Sequence, residues 1–136
     1  MVIMGIVAAI AAPRYAAAVA RYRADLAARR IAADLASAQA NAKSTSKSQS
    51  VVFSKAAGTY QMSGVRELDS TATIYLINLA ADPYLVTIGT VNFGGSAQVT
   101  FDAFGLPSSA GSITVQGGGI TKSVIVDGVT GKASVQ

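Results

Sequence analysis

From Ala8 to about Lys43 the chain consists of strong helix formers, interrupted only by Pro13. Such a run exceeds an ordinary globular helix of roughly 8–20 residues. A domain containing it must be organised around that one helix. Proline lacks an amide hydrogen and its ring crowds the preceding turn, so the helix is expected to kink or loosen at Pro13.

Beyond Pro13 the larger apolar residues fall on two stripes. Tyr15, Val19, Tyr22 and Leu26 are spaced 4, 3 and 4. Ala20, Ala24, Ala27, Ile31, Leu35, Ala38 and Ala42 form the second, longer stripe. Both spacings are helical. A step of five residues at about 100° each sets the stripes roughly 140° apart. The alanine stripe permits close approach and is expected to cover the chain's own sheet. The aromatic stripe is expected to meet another subunit; otherwise the helix is buried on most sides within one domain.

The charge is uneven. Residues 1–43 hold Arg14, Arg21, Arg23, Arg29, Arg30 and Lys43 against Asp25 and Asp34. The remaining five basic and five acidic residues balance, so the net charge of +4 belongs to the helical segment. Composition changes at the same place: past Ser44 the chain turns to Val, Ile, Thr, Ser and Gly. Three stretches are expected: an apolar half-helix over 1–13, an amphipathic half-helix over 14–43, and a β-sheet globular domain over 44–136.

Met1–Ala12 is apolar throughout. Twelve helical residues extend about 18 Å, against roughly 30 Å of bilayer hydrocarbon. No basic residue precedes Arg14, as a signal peptide would require. Met1 is therefore not expected to be the natural start, since about ten more apolar residues upstream would complete a span.

After "KSTSKSQS" strand-like runs recur at Ser50–Ser54, Thr59–Met62, Thr73–Leu79, Tyr84–Ile88, Gln98–Ala103, Ser112–Gln116, Thr121–Val126 and Lys132–Val135. Turn signals separate them, and the last three strands read as a meander. The expected class is α+β: one long helix packed on an antiparallel sheet.

The chemistry available is thin. The chain has no Cys and no His, which removes thiolate sites, the commonest general base and the commonest transition-metal ligand. Gly117–Gly119 lies between strands and opens no helix, so it reads as a turn and not a phosphate cradle. Asp102 and Asp127 sit at strand ends, where Asp bonds its own turn. Glu67 and Asp69, beside Ser70 and Thr71, offer calcium-type oxygen ligands, but in loose order. No catalytic residue, cofactor or metal site is expected. The helical arginines suit solubility between two apolar stripes and attraction to lipid head groups.

"MVIMGIVAAIAAPRY" resembles the middle of the N-terminal helix of type IV pilins and type II secretion pseudopilins. Gly5 and Pro13 match, by spacing, that family's helix-loosening glycine and proline. On this resemblance the leader, its cleavage site and the early glutamate precede Met1. "ARYRADLAARRIAADLASAQANAKSTSKSQSVVF" is similar to the GspH/FimT branch, as are the "FD..G.P" turn at 101–107 and the closing "TGKASV".

The resemblance implies a pilin-like fold and a non-catalytic subunit. Such a subunit sits in the bacterial inner membrane, its globular domain in the periplasm. It assembles with other pilins or pseudopilins into a filament with the helices at its core. Some FimT-like minor pilins bind DNA through a basic "GR.R" motif. The corresponding residues here are Gly131, Lys132, Ala133 and Ser134, which leaves Lys132 as a lone DNA-contact candidate in that alternative.

Overall fold

The computed structural model describes the backbone of residues 2–63, 74–81 and 84–136. Side chains are described within these ranges, except 2–13, 63 and 74. Helix α1 (Val2–Thr45) is followed by β1 (Gln49–Ser54), β2 (Thr59–Ser63), β3 (Ile74–Asn78) and β4 (Thr87–Phe93). Then come β5 (Gln98–Phe101), β6 (Gly111–Gly117), β7 (Ile120–Val126) and β8 (Ala133–Val135).

The 44 residues of α1 make a rod about 66 Å long that is helical through both Gly5 and Pro13. Its C-terminus closes on itself. Ser46 takes the left-handed conformation at φ 54°, and the Lys47 amide donates to the Ala42 carbonyl at 3.2 Å. This 6→1 bond satisfies a carbonyl the helix would otherwise orphan. The Thr45 hydroxyl donates to the Asn41 carbonyl at 2.7 Å, occupying a second.

The strands do not form the single sheet expected from sequence. They divide into two antiparallel four-stranded sheets, ordered β3-β2-β1-β5 and β4-β6-β7-β8. The expected meander is present as β6-β7-β8 within the second. The chain crosses between sheets twice, from β3 to β4 and back from β4 to β5. Phe93 at the end of β4 stacks on Phe53 of β1, with ring centroids 5.9 Å apart, and so joins the two sheets. The crossing explains the division: β4 pairs with β6 and not with its neighbours in sequence.

β4 also begins three residues later than Tyr84 and runs on to Phe93. Leu85 is left-handed at φ 50°, which breaks an extended run there. Gly89 reads as a breaker in sequence. It lies instead within a register shift between Ile88 and Val91, where the Thr90 amide donates to the Thr114 hydroxyl at 2.7 Å. Glycine tolerates such a bulge without ending the strand.

α1 packs against both sheets, touching β6, β7 and β8 of one and β1 and β5 of the other. Ile31 and Leu35 are fully enclosed between them. Each contributes about 1.5–3 kcal/mol by leaving water. The upper end of the contact is set by the β6–β7 turn. Gly118 has φ +58°, and a Cβ there would overlap the Ala20 methyl. Gly118→Ala is expected to cost about 1–2 kcal/mol from the left-handed backbone alone, plus the overlap. Urea denaturation checks this, and adding Ala20→Gly should recover only the overlap.

Candidate assembly surface

The helix is covered unevenly along its length. Ala24, Ala27, Ile31, Leu35, Ala38 and Ala42 are all buried in the core, and Ala20 is half-buried where it meets the β6–β7 turn. Ala28 is buried as well and was not on the expected stripe. From Arg14 to Ala18 every side chain is exposed. The aromatic stripe does not share one environment. Tyr15 and Tyr22 are 75% and 67% exposed, whereas Val19 and Leu26 are half-buried. A run of small side chains between the tyrosines thus leaves α1 uncovered until Ala20.

A polar cluster missed in the sequence reading joins α1 to the first sheet. Asp34 is buried and accepts a hydrogen bond from the Tyr60 hydroxyl. It also accepts from the Tyr75 hydroxyl, at 3.2 Å. Arg30, one turn earlier, pairs with Asp34 at 3.2 Å and donates to the Tyr75 oxygen. Burial, with the adjacent carboxylate, raises both tyrosine pKa values, so both hydroxyls remain donors. Burial opposes the Arg30 charge, but Tyr75 and Asp34 outweigh it and hold the guanidinium protonated. The signal was present in the sequence: Asp34 lies three residues after Ile31 and four before Ala38, on the apolar stripe. A carboxylate there needs a partner.

A second polar contact holds the far end. Gln39 donates from Nε2 to the carbonyls of Gly105 and Thr130, both at 2.8 Å. It thereby gathers the β5–β6 and β7–β8 loops onto α1. Each loop is shaped by its own aspartate. Asp102 Oδ1 accepts from the amides of Phe104 and Leu106, both at 2.9 Å. Asp127 Oδ1 accepts from Val129 at 2.7 Å and Thr130 at 3.1 Å. Both carboxylates are occupied in forming turns, as their positions suggested.

Glu67, Asp69, Ser70 and Thr71 lie outside the described residues. Among the described residues no group of acids is arranged to hold a metal ion. Lys132 is exposed just before β8, and its carbonyl accepts from the Asp127 amide at 3.0 Å. Gly117–Gly119 forms the β6–β7 turn, with positive φ at Gly118 and Gly119. Among the described residues no helix is long and apolar enough to cross a membrane.

A long N-terminal helix laid across antiparallel sheets is the pilin-like fold. The type IV minor pilin FimU of Pseudomonas aeruginosa superposes with a TM-score of 0.64 at 17% identity, covering 85% of this chain and 90% of that one. The minor pseudopilin EpsH from the type 2 secretion system of Vibrio cholerae gives 0.64 at 10% identity, covering 84% and 96%. Comparison with curated protein sequences finds no match. The sequence model of the family described as "Type II transport protein GspH" matches residues 27–131, and the chain belongs to this family.

Removing the Asp34 carboxylate leaves Tyr60 and Arg30 without their shared acceptor. Asp34→Ala is expected to lower stability by about 2–3 kcal/mol, below the range for fully buried ion pairs because Arg30 can turn to water. Tyr60→Phe should lose about 1 kcal/mol. Urea denaturation of the two variants and their double mutant checks both values. The backbone amides of Thr130 and Val129 hold the Asp127 carboxyl below its ordinary range. A carboxylate depressed on folding stabilises above its unfolded pKa of about 3.9, and that stability is lost as pH falls through the folded value. The difference in melting temperature between wild type and Asp127→Ala should therefore be largest above about pH 5 and shrink toward pH 2.

Proposed function

We propose that the protein is a non-catalytic structural subunit, a minor pilin or pseudopilin. In this reading it is held in the bacterial inner membrane by the start of α1, with its sheets in the periplasm. It assembles with other pilin or pseudopilin subunits into a type IV pilus or a type II secretion pseudopilus. One observation carries the reading. The same helix that is enclosed by its own domain from Ala24 onward is exposed on all sides over residues 14–18, with two large aromatic residues facing water. Tyrosine rings bury much area at low entropic cost, which suits a contact between subunits. Membership of the GspH family and the likeness to a pilin and a pseudopilin support the same assignment.

The apolar residues before Pro13 would supply about 18 Å of helix, enough to enter one leaflet. Gly5 and Pro13 serve in this reading as soft points, where a helix leaving the bilayer can stretch on packing into a filament. Tyr15, Val19, Tyr22 and Leu26 form the subunit-packing face, with the tyrosines as anchors and the half-buried pair beneath them.

Tyr22→Asp is expected to abolish incorporation into filaments while leaving the domain's melting temperature within a few degrees of wild type. Co-isolation with sheared filaments and thermal unfolding of the same variant measure the two effects. Loss of folding would make Tyr22 a core residue and end the two-face reading.

A further inference from the structure

The helix carries six basic residues and two acids up to Lys43. Both acids are engaged within α1. Asp25 pairs with Arg29 at 2.8 Å, and Asp34 with Arg30 at 3.2 Å. Among the described residues Arg14, Arg21, Arg23 and Lys43 have no ion-pair partner. Three of these four uncompensated cations lie on the first part of the helix, around the point where the domain begins to cover it.

A cation from the sheet joins them there. Lys122 of β7 lines a groove of about 460 Å³ together with Arg21, Tyr22, Asp25, Ile120 and Thr121. Arg21 and Lys122 approach from different elements, and the one carboxylate in the groove already belongs to Arg29. The groove is therefore basic, with an exposed tyrosine at its edge. It adjoins the β6–β7 turn, which meets α1 at Ala20.

We propose that this groove binds the phosphate of acidic phospholipid head groups, so that the globular domain itself rests on the bilayer surface. The inference builds on the membrane-anchored reading above and adds the lipid class and the residues that select it. The distances suit it. Arg14 is the first cation after the apolar run, and Arg21 follows seven residues later, about 10 Å along the axis. The head-group layer is roughly 5–8 Å thick per leaflet, and an arginine side chain reaches several ångströms along the helix. With Arg14 at the hydrocarbon edge, Arg21 and Lys122 lie within about one Debye length, some 8 Å, of the phosphates. Tyr15 and Tyr22 are the residue type enriched at this level of a membrane.

The test uses the full chain and flotation with two kinds of vesicle: zwitterionic phosphatidylcholine, and the same lipid containing phosphatidylglycerol. Binding to anionic vesicles should exceed binding to neutral ones and fall as salt rises. Each cation near an anionic surface is worth about fivefold in binding. Lys122→Gln and Arg21→Gln should each lower anionic-vesicle binding by about that factor and leave neutral-vesicle binding unchanged. Arg21 is exposed, so its variant tests the groove even if Lys122→Gln disturbs β7. Lys122→Arg should restore binding, and Lys55→Gln, in the β1–β2 turn, should have no effect. Anionic binding that ignores both groove variants overturns the proposal. So does a salt-sensitive DNA mobility shift that is lost in Lys122→Gln while vesicle binding persists, which would make the groove a nucleic-acid site. Neutral-vesicle binding reports insertion of the apolar helix, so its absence counts against anchoring and leaves the groove's own readout intact.

Discussion

The close contact between an alanine-lined helix face and two sheets is what the rest of the molecule depends on. Methyl-sized side chains at Ala20, Ala24, Ala27, Ala28, Ala38 and Ala42 let the sheet backbones approach the rod, and Ile31 and Leu35 fill the centre of the contact. Gly117 and Gly118 make the matching concession from the sheet side. A rod buried this way touches β1, β5, β6, β7 and β8 at once, so a single face of α1 aligns both sheets. The opposite face receives no strand.

Apolar contacts between small residues resist sliding and rotation weakly, because methyl groups present little relief. Two polar contacts supply the missing specificity. The Arg30–Asp34–Tyr60–Tyr75 cluster ties the middle of α1 to β2 and β3. Gln39 ties the lower part to the loops shaped by Asp102 and Asp127. With the rotation held at two heights, Tyr15 and Tyr22 have a defined outward direction, and Arg21 comes to lie beside Lys122. A directional surface on an otherwise smooth rod is what a subunit needs to assemble with defined geometry.

The helix was legible because its signal is local. The alanine stripe runs at spacings of three and four, and the burial of Ala24 through Ala42 lies along it. Most strands were legible for the same reason, with Val, Ile and Thr between glycine turns. β4 was not, since Gly89 suggests an end to the strand. Only pairing with β6 and the hydroxyl of Thr114 turn that glycine into a bulge. The division into two sheets was also hidden, because it depends on which strand β4 chooses among several of similar composition. Asp34 was visible as a charge on an apolar stripe. Its partners were not, lying 26 and 41 residues away on β2 and β3.

By itself the sequence determined a long helix with unlike faces, a surplus of positive charge confined to that helix, strands after it, and no histidine or cysteine chemistry. These follow from composition and short-range periodicity, which need no knowledge of distant contacts. Tertiary structure decided where the helix leaves its domain, which carboxylates neutralise which arginines, and how one lysine of β7 joins the cations left over. Each of those depends on residues brought together by the sheets from far apart in the chain. Position along the sequence carries no record of such encounters, whereas the packed fold sets them to within an ångström or two.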